Sequence, residues 1–227
     1  MVTIEYNRKT NVQFDLVVTN FEQRKRPEEQ IEVIDIEGRN GSLVDRHGVY
    51  RSYQRTIEMV NLTEDKKPLV HKWLSGRGIL RTSEDPAGFS FVDVLDTIER
   101  KYIGERHSFI AVTFLCEPHF YLDAGMLPIE ITTQKSLMNI GTDSAEPLIK
   151  VYGTGNGQIL INEQVIPLTG IEQHLTIDTK LQIVHKDGLP AGRKMSGPFP
   201  VLGEGQNLIS FTGGITKLEL TPRWREL

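Results

Sequence analysis

The run Gly197-Pro198-Phe199-Pro200-Val201-Leu202-Gly203-Glu204-Gly205-Gln206-Asn207-Leu208-Ile209-Ser210-Phe211, continued through Gly213-Gly214 into Thr216-Lys217-Leu218-Glu219-Leu220-Thr221-Pro222-Arg223-Trp224, decides the fold class. A Pro/Gly loop leads into a short apolar strand, and a second strand alternates apolar and polar side chains. Glycine supplies the positive φ of a tight turn, so Gly213-Gly214 predicts a terminal β-hairpin. The same chemistry recurs upstream, where short apolar runs alternate with Gly, Asn, Asp and Pro and no helical period is visible. That is the pattern of a β-sandwich. Pro147–Tyr152 and Gln158–Asn162 read as a pair joined by a Gly153-Thr154-Gly155-Asn156-Gly157 turn, with further strands at His174–Asp178 and Leu181–Lys186.

Composition shifts near Asp123-Ala124-Gly125-Met126, which predicts two domains, 1–125 and 126–227. The first opens with Val12, Phe14, Leu16 and Val18 alternating as a strand, followed by the charged stretch Glu22–Gln30, whose Pro27 argues against a continuous strand. In Ile31–Ile36 the alternation slips between Val33 and Ile34, as at a bulge, and Gly38-Arg39-Asn40-Gly41 is turn chemistry. Tyr53, Arg55, Ile57 and Met59 share one strand face. An arginine there marks a buried ion pair or an edge against a neighbouring subunit. One helix is expected, capped by Thr63, with Leu69, Val70, Trp73 and Leu74 as its apolar stripe and Gly76 and Gly78 as its stop. Ser108–Cys116 reads as a fully buried central strand ended by Pro118.

Several functions are disfavoured. The chain of 227 residues carries 26 basic and 30 acidic side chains, a formal net charge of −4, whereas duplex binding draws on a basic excess. It has no apolar run long enough to span a bilayer, and Met1–Asn7, lacking a basic and then apolar stretch, is not expected to act as a secretory signal. The single cysteine, Cys116, forms no internal disulfide and reads as a buried inert thiol. Gly153–Gly157 lacks the Gly-Lys-Ser/Thr of a phosphate loop and the spacing of a dinucleotide fingerprint. The six histidines never fall at the spacing of a zinc motif. Carboxylate pairs such as Asp93 with Asp96, or Glu84 with Asp85, are not singled out as a glycosidase pair, and no Gly-x-Ser-x-Gly elbow exists. No catalytic residue, metal site or cofactor is expected.

Taken in order, Phe21 with Arg24-Lys25-Arg26-Pro27, Ile36-Glu37-Gly38-Arg39-Asn40-Gly41-Ser42-Leu43, Leu69–Leu74 with Gly78-Ile79-Leu80, and Phe109–Tyr121 resemble segments of the distal tail proteins of long-tailed phages infecting Gram-positive bacteria. So do Asn139-Ile140-Gly141, Pro147–Gly153, Leu175–Asp178 and Gly197–Pro200. Glu37 stands where that family often has proline. The resemblance implies a mainly β, two-domain protein: an N-terminal ring-forming domain with one helix and a C-terminal galectin-like β-sandwich. It further implies a non-enzymatic hub at the tail tip of the virion, made in the host cytoplasm. Such a hub is typically a homohexameric ring between the tail tube protein and the tail-associated lysin or fibre protein, with a receptor-binding protein as a further partner. DNA would pass its channel without specific binding. Ring-interface candidates are Arg24, Arg26, Gly38, Arg39, Asn40 and Gly41.

Two alternatives are distinguishable. A stand-alone glycan-binding β-sandwich would stack sugars on Trp224, Phe199 or Tyr152, and a tail-tip hydrolase would need a convergent acid pair.

Overall fold

A computed structural model describes residues 2–101 and 108–227. The fold is mainly β, with curled sheets and, among the described residues, one α-helix. Two compact units divide it, Met1–Phe120 (with Leu227) and Tyr121–Glu226.

The strands of the first unit are β1 (Ile4–Tyr6), β2 (Lys9–Thr10), β3 (Val17–Phe21), β4 (Glu29–Asp35), β5 (Ser42–Tyr50), β6 (Tyr53–Leu62), β7 (Arg77–Thr82), β8 (Asp85–Lys101) and β9 (Ser108–Leu122, which ends beyond the unit division). A curled sheet runs β2-β1-β7-β8-β9-β6-β3, while β4 and β5 form a separate two-stranded ladder. The Tyr53, Arg55, Ile57, Met59 face is as expected, paired against Cys116, Phe114, Val112 and Ile110 of β9. Ile57, Met59, Ile110, Val112 and Phe114 form the core with Ile4, Tyr6 and Trp73. β9 is central, but its second face is only half-buried. It also runs on through Pro118. The last pair with β6 is Tyr53↔Cys116, so proline lies beyond that ladder and its missing N–H costs no bond there.

Two further expectations fail for local reasons. Asn11–Phe14 is a 3-10 turn rather than a strand, and Val12 is exposed. The buried Asn11 amide ties the turn, its oxygen accepting from Ile4 N–H (2.9 Å) and its nitrogen donating to the Leu16 carbonyl (2.8 Å). Helix α1 spans Lys67–Trp73 and starts later than a Thr63 cap would place it. Thr63 instead offers its backbone carbonyl to the N–H groups of Lys66 and Lys67, and Pro68 pre-sets the first turn. Val70, Trp73 and Leu74 are buried, but Leu69 faces out. Trp73 donates its indole N–H to the Tyr6 carbonyl (2.8 Å) and stacks on Phe14 at 4.8 Å. It is the anchor between helix and sheet.

The second unit contains β10 (Ile129–Ile131), β11 (Lys135–Asn139), β12 (Leu148–Ile161), β13 (Gln164–Asp178), β14 (Ile183–Lys186), β15 (Leu189–Pro190), β16 (Gly205–Thr221) and β17 (Arg225–Glu226). Its ladder order is β10-β16-β12-β13-β14-β15, with β11 also on β16. Neither glycine cluster is a turn. Gly153–Gly157 lies inside β12 and Gly213-Gly214 inside β16, where the pairing register shifts between Gly153 and Gly157. The two clusters face each other. A Cβ on Gly157 would stand 2.7 Å from the Thr212 carbonyl oxygen, and one on Gly213 2.6 Å from that of Asn156. Glycine is used here for close backbone approach at bulges. The actual reversal between β12 and β13 is at Asn162-Glu163, with Asn162 at φ 52°.

Candidate assembly interface

Residues 29–50 form an arm: among the described residues β4 and β5 pair only with each other, and nearly every residue on both faces is exposed. Ile31, Val33, Ile34, Ile36, Leu43, Val44 and Val49 are among its exposed side chains, Val33 by 57% and Val49 by 51%. A lone two-stranded ribbon is marginal in water, and exposed apolar side chains on both of its faces make it a candidate interaction surface. The register explains the broken alternation. Ile31, Val33 and Val44 lie on one face, Ile34 and Leu43 on the other, so each face carries apolar side chains. The bulge lies between Glu29 and Ile31, not between Val33 and Ile34. At the base, Arg46 pairs with Glu29, and Arg51 N–H donates to the Glu28 carbonyl at 2.9 Å.

The six candidate residues separate into two places. Gly38, Arg39, Asn40 and Gly41 make the arm's tip. Gly38 and Gly41 have φ of 80° and 85°, and Arg39 N–H donates to the Ile36 carbonyl. Arg24 and Arg26 lie in the loop before the arm, Arg26 exposed and Arg24 partly buried. The Arg24 guanidinium sits 4.4 Å over the Phe120 ring and 3.2 Å from the Asp85 carboxylate. Sequence reasoning picked out the tip but missed the apolar length of the arm. The mirrored apolar runs Ile31–Ile36 and Leu43–Val49 around one Gly-Arg-Asn-Gly turn were the available signal.

Arg55, flagged by its place on an apolar face, is 4% exposed. Its Nε donates to the Glu22 carbonyl at 2.5 Å, and its guanidinium lies 4.3 Å over the Phe21 ring. Burial lowers its pKa, with Asp85 among the groups that oppose this and Arg24 reinforcing it. Arg55 lines a cleft of about 250 Å³ with Phe21, Gln23, Arg24, Glu84 and Asp85.

Beside it, burial raises the Tyr53 phenol to about 12 and the Cys116 thiol from 9.0 to about 11. The neutral thiol is thus favoured by folding. Its contribution to stability is complete below the unfolded value near 9 and is lost as pH rises towards 11. Native protein at pH 8 should leave Cys116 unmodified by a chromogenic disulfide reagent over an hour, while denatured protein releases one equivalent per chain. Rapid native labelling would contradict this burial.

The glycan-stacking alternative loses its main platform, because Trp224 is 4% exposed. Tyr152 donates its hydroxyl to Glu219 (2.9 Å) and lies under Lys150 and Lys217. Phe199 lines a cleft with Ile183, Val184 and Met195. Among the described residues, no three His, Cys, Asp or Glu side chains gather as a metal site, and no helix is long and apolar enough to cross a membrane.

No family model matches the chain, and no curated protein matches it. Among solved structures, the chain is similar to SPP1 Dit (gp 19.1), described as a paradigm of the hub adsorption apparatus in phages that infect Gram-positive bacteria. The identity is 10% and the TM-score 0.72. The chain therefore has the fold of a phage distal tail protein over 97% of its own length and 97% of that neighbour's.

Proposed function

We propose that this chain is a structural hub of a phage tail tip, assembling as a closed homohexameric ring. The ring joins the tail tube to the tail-associated fibre or lysin protein, adjoins a receptor-binding protein, and lets DNA pass through its centre without specific binding. Residues 1–125 supply the ring and 126–227 the outer galectin-like domain. The role is one of assembly, with no bond made or broken, at the tail tip of a virion whose parts are made in the host cytoplasm.

The observation that carries this reading is the apolar arm of β4 and β5, exposed on both faces of an isolated chain. A closed ring needs a heterologous contact, one patch meeting a different patch on the neighbour, and a projecting ribbon provides such a patch. The fold likeness to an adsorption hub protein supports the same assignment. Size-exclusion chromatography with light scattering, followed by negative-stain imaging of the peak, tests it: sixfold rings with an open centre are expected. Arg39→Glu, at the arm's tip, should shift the distribution towards monomer by about tenfold in dissociation constant. An unchanged distribution would remove the tip from the interface.

A further inference from the structure

The arm and the Arg55 cleft carry complementary, unsatisfied charges. Arg55 is held by one hydrogen bond through Nε and by the Phe21 ring; among the described residues its two terminal nitrogens have no hydrogen-bond acceptor. A carboxylate meeting both nitrogens side by side is the ligand that this planar fork matches. Within the cleft, Asp85 is already taken by Arg24 at 3.2 Å, and Glu84 stands exposed at the rim without bonding Arg55. Tyr53 and Cys116 are neutral neighbours. The positive charge of Arg55 is therefore the one the cleft leaves without a paired carboxylate.

On the arm, Glu32 and Asp45 are direct cross-strand partners, both exposed, and neither forms an ion pair among the described residues. Like charges directly opposite on a ladder repel, so this pair weakens an already marginal ribbon unless a cation meets it. The next pair on the same face is Ile34↔Leu43, which places apolar surface beside the acids. The arm as a whole has five acidic residues against two basic ones. We propose that the Arg55 cleft is a carboxylate socket filled by the Glu32–Asp45 pair from the arm of a second copy of this chain. This rests on the assembly reading above and names the contact that closes it.

Sedimentation velocity of the full chain across a concentration series tests the socket. Arg55→Gln and the double variant Glu32→Gln/Asp45→Asn should each weaken association about 30-fold or more. Combining them should add little, because all remove one contact. Glu84→Gln, which removes a repelling carboxylate at the rim, should tighten association. Should Arg55→Gln fail to fold, the exposed arm variants still test the contact from the other side, and Arg55→Lys, which keeps the charge but loses the fork, should give an intermediate loss. Wild type that associates while the arm variants associate equally well, or losses that add in full, overturn the socket and leave the assembly reading standing. Wild type that stays monomeric at all concentrations overturns the assembly reading and the socket with it.

Discussion

Asp178→Asn is expected to cost about 3 kcal/mol of stability, lowering the melting temperature by about 6–12 °C. Asp178 and Arg223 form a fork-to-fork pair, with Arg223 Nη1 and Nη2 donating to the two carboxylate oxygens at 2.7 and 3.0 Å. Both side chains are largely buried, and Asp178 also accepts from Leu181 N–H at 3.2 Å. Breaking one partner leaves the other charge desolvated, and this desolvation is the larger part of the loss. Arg223 itself sits at φ 59°, with Trp224 next in the chain buried and its carbonyl accepting from Leu122 N–H. The pair therefore pins the end of β16.

The pH dependence has a definite sign. Burial pushes the Asp178 carboxyl up, but the hydrogen bonds and charge of Arg223, with the Leu181 and Lys180 amides, pull it further down, leaving it below the ordinary carboxylate value. A depressed folded value gives stability that is complete above the unfolded value near 3.8 and is lost as pH falls through the folded one. Arg223→Met should behave oppositely: strongly destabilised at pH 7, with the gap to wild type narrowing below pH 4 as the orphaned carboxylate takes a proton. Urea titrations at both pH values measure this. Equal losses for Arg223→Met at the two values would sink the ion-pair account.

The second large effect concerns the arm. Replacing Ile31, Val33, Val44 and Val49 together by serine should weaken self-association on the order of 100-fold or more, since each such side chain contributes about 1.5–3 kcal/mol when fully covered. The isolated monomer should lose little, because all four are already exposed. Monomer melting and the dissociation constant therefore separate. A large fall in melting temperature with unchanged association would mean that the arm packs on its own chain.

The β-rich class, the Tyr53–Met59 face, the helix around Trp73 and the burial of Cys116 were legible because each depends on local period or on the character of one side chain. The resemblance to distal tail proteins was legible from the order of weak segments, and the fold bears it out.

What local chemistry could not distinguish was turn from bulge. Gly153–Gly157 and Gly213-Gly214 satisfy the demands of a reversal, yet each lies inside a long strand because the two clusters face one another across the β12–β16 ladder. The sequence by itself determined which residues are apolar, where φ can turn positive and which strands have a buried face. Only the tertiary structure decided which backbone each glycine approaches, that both faces of residues 29–50 lie open, and that the buried Arg55 is held through its Nε and the Phe21 ring. Those properties belong to pairs of segments far apart in the chain, and periodicity within one segment carries no record of its partner.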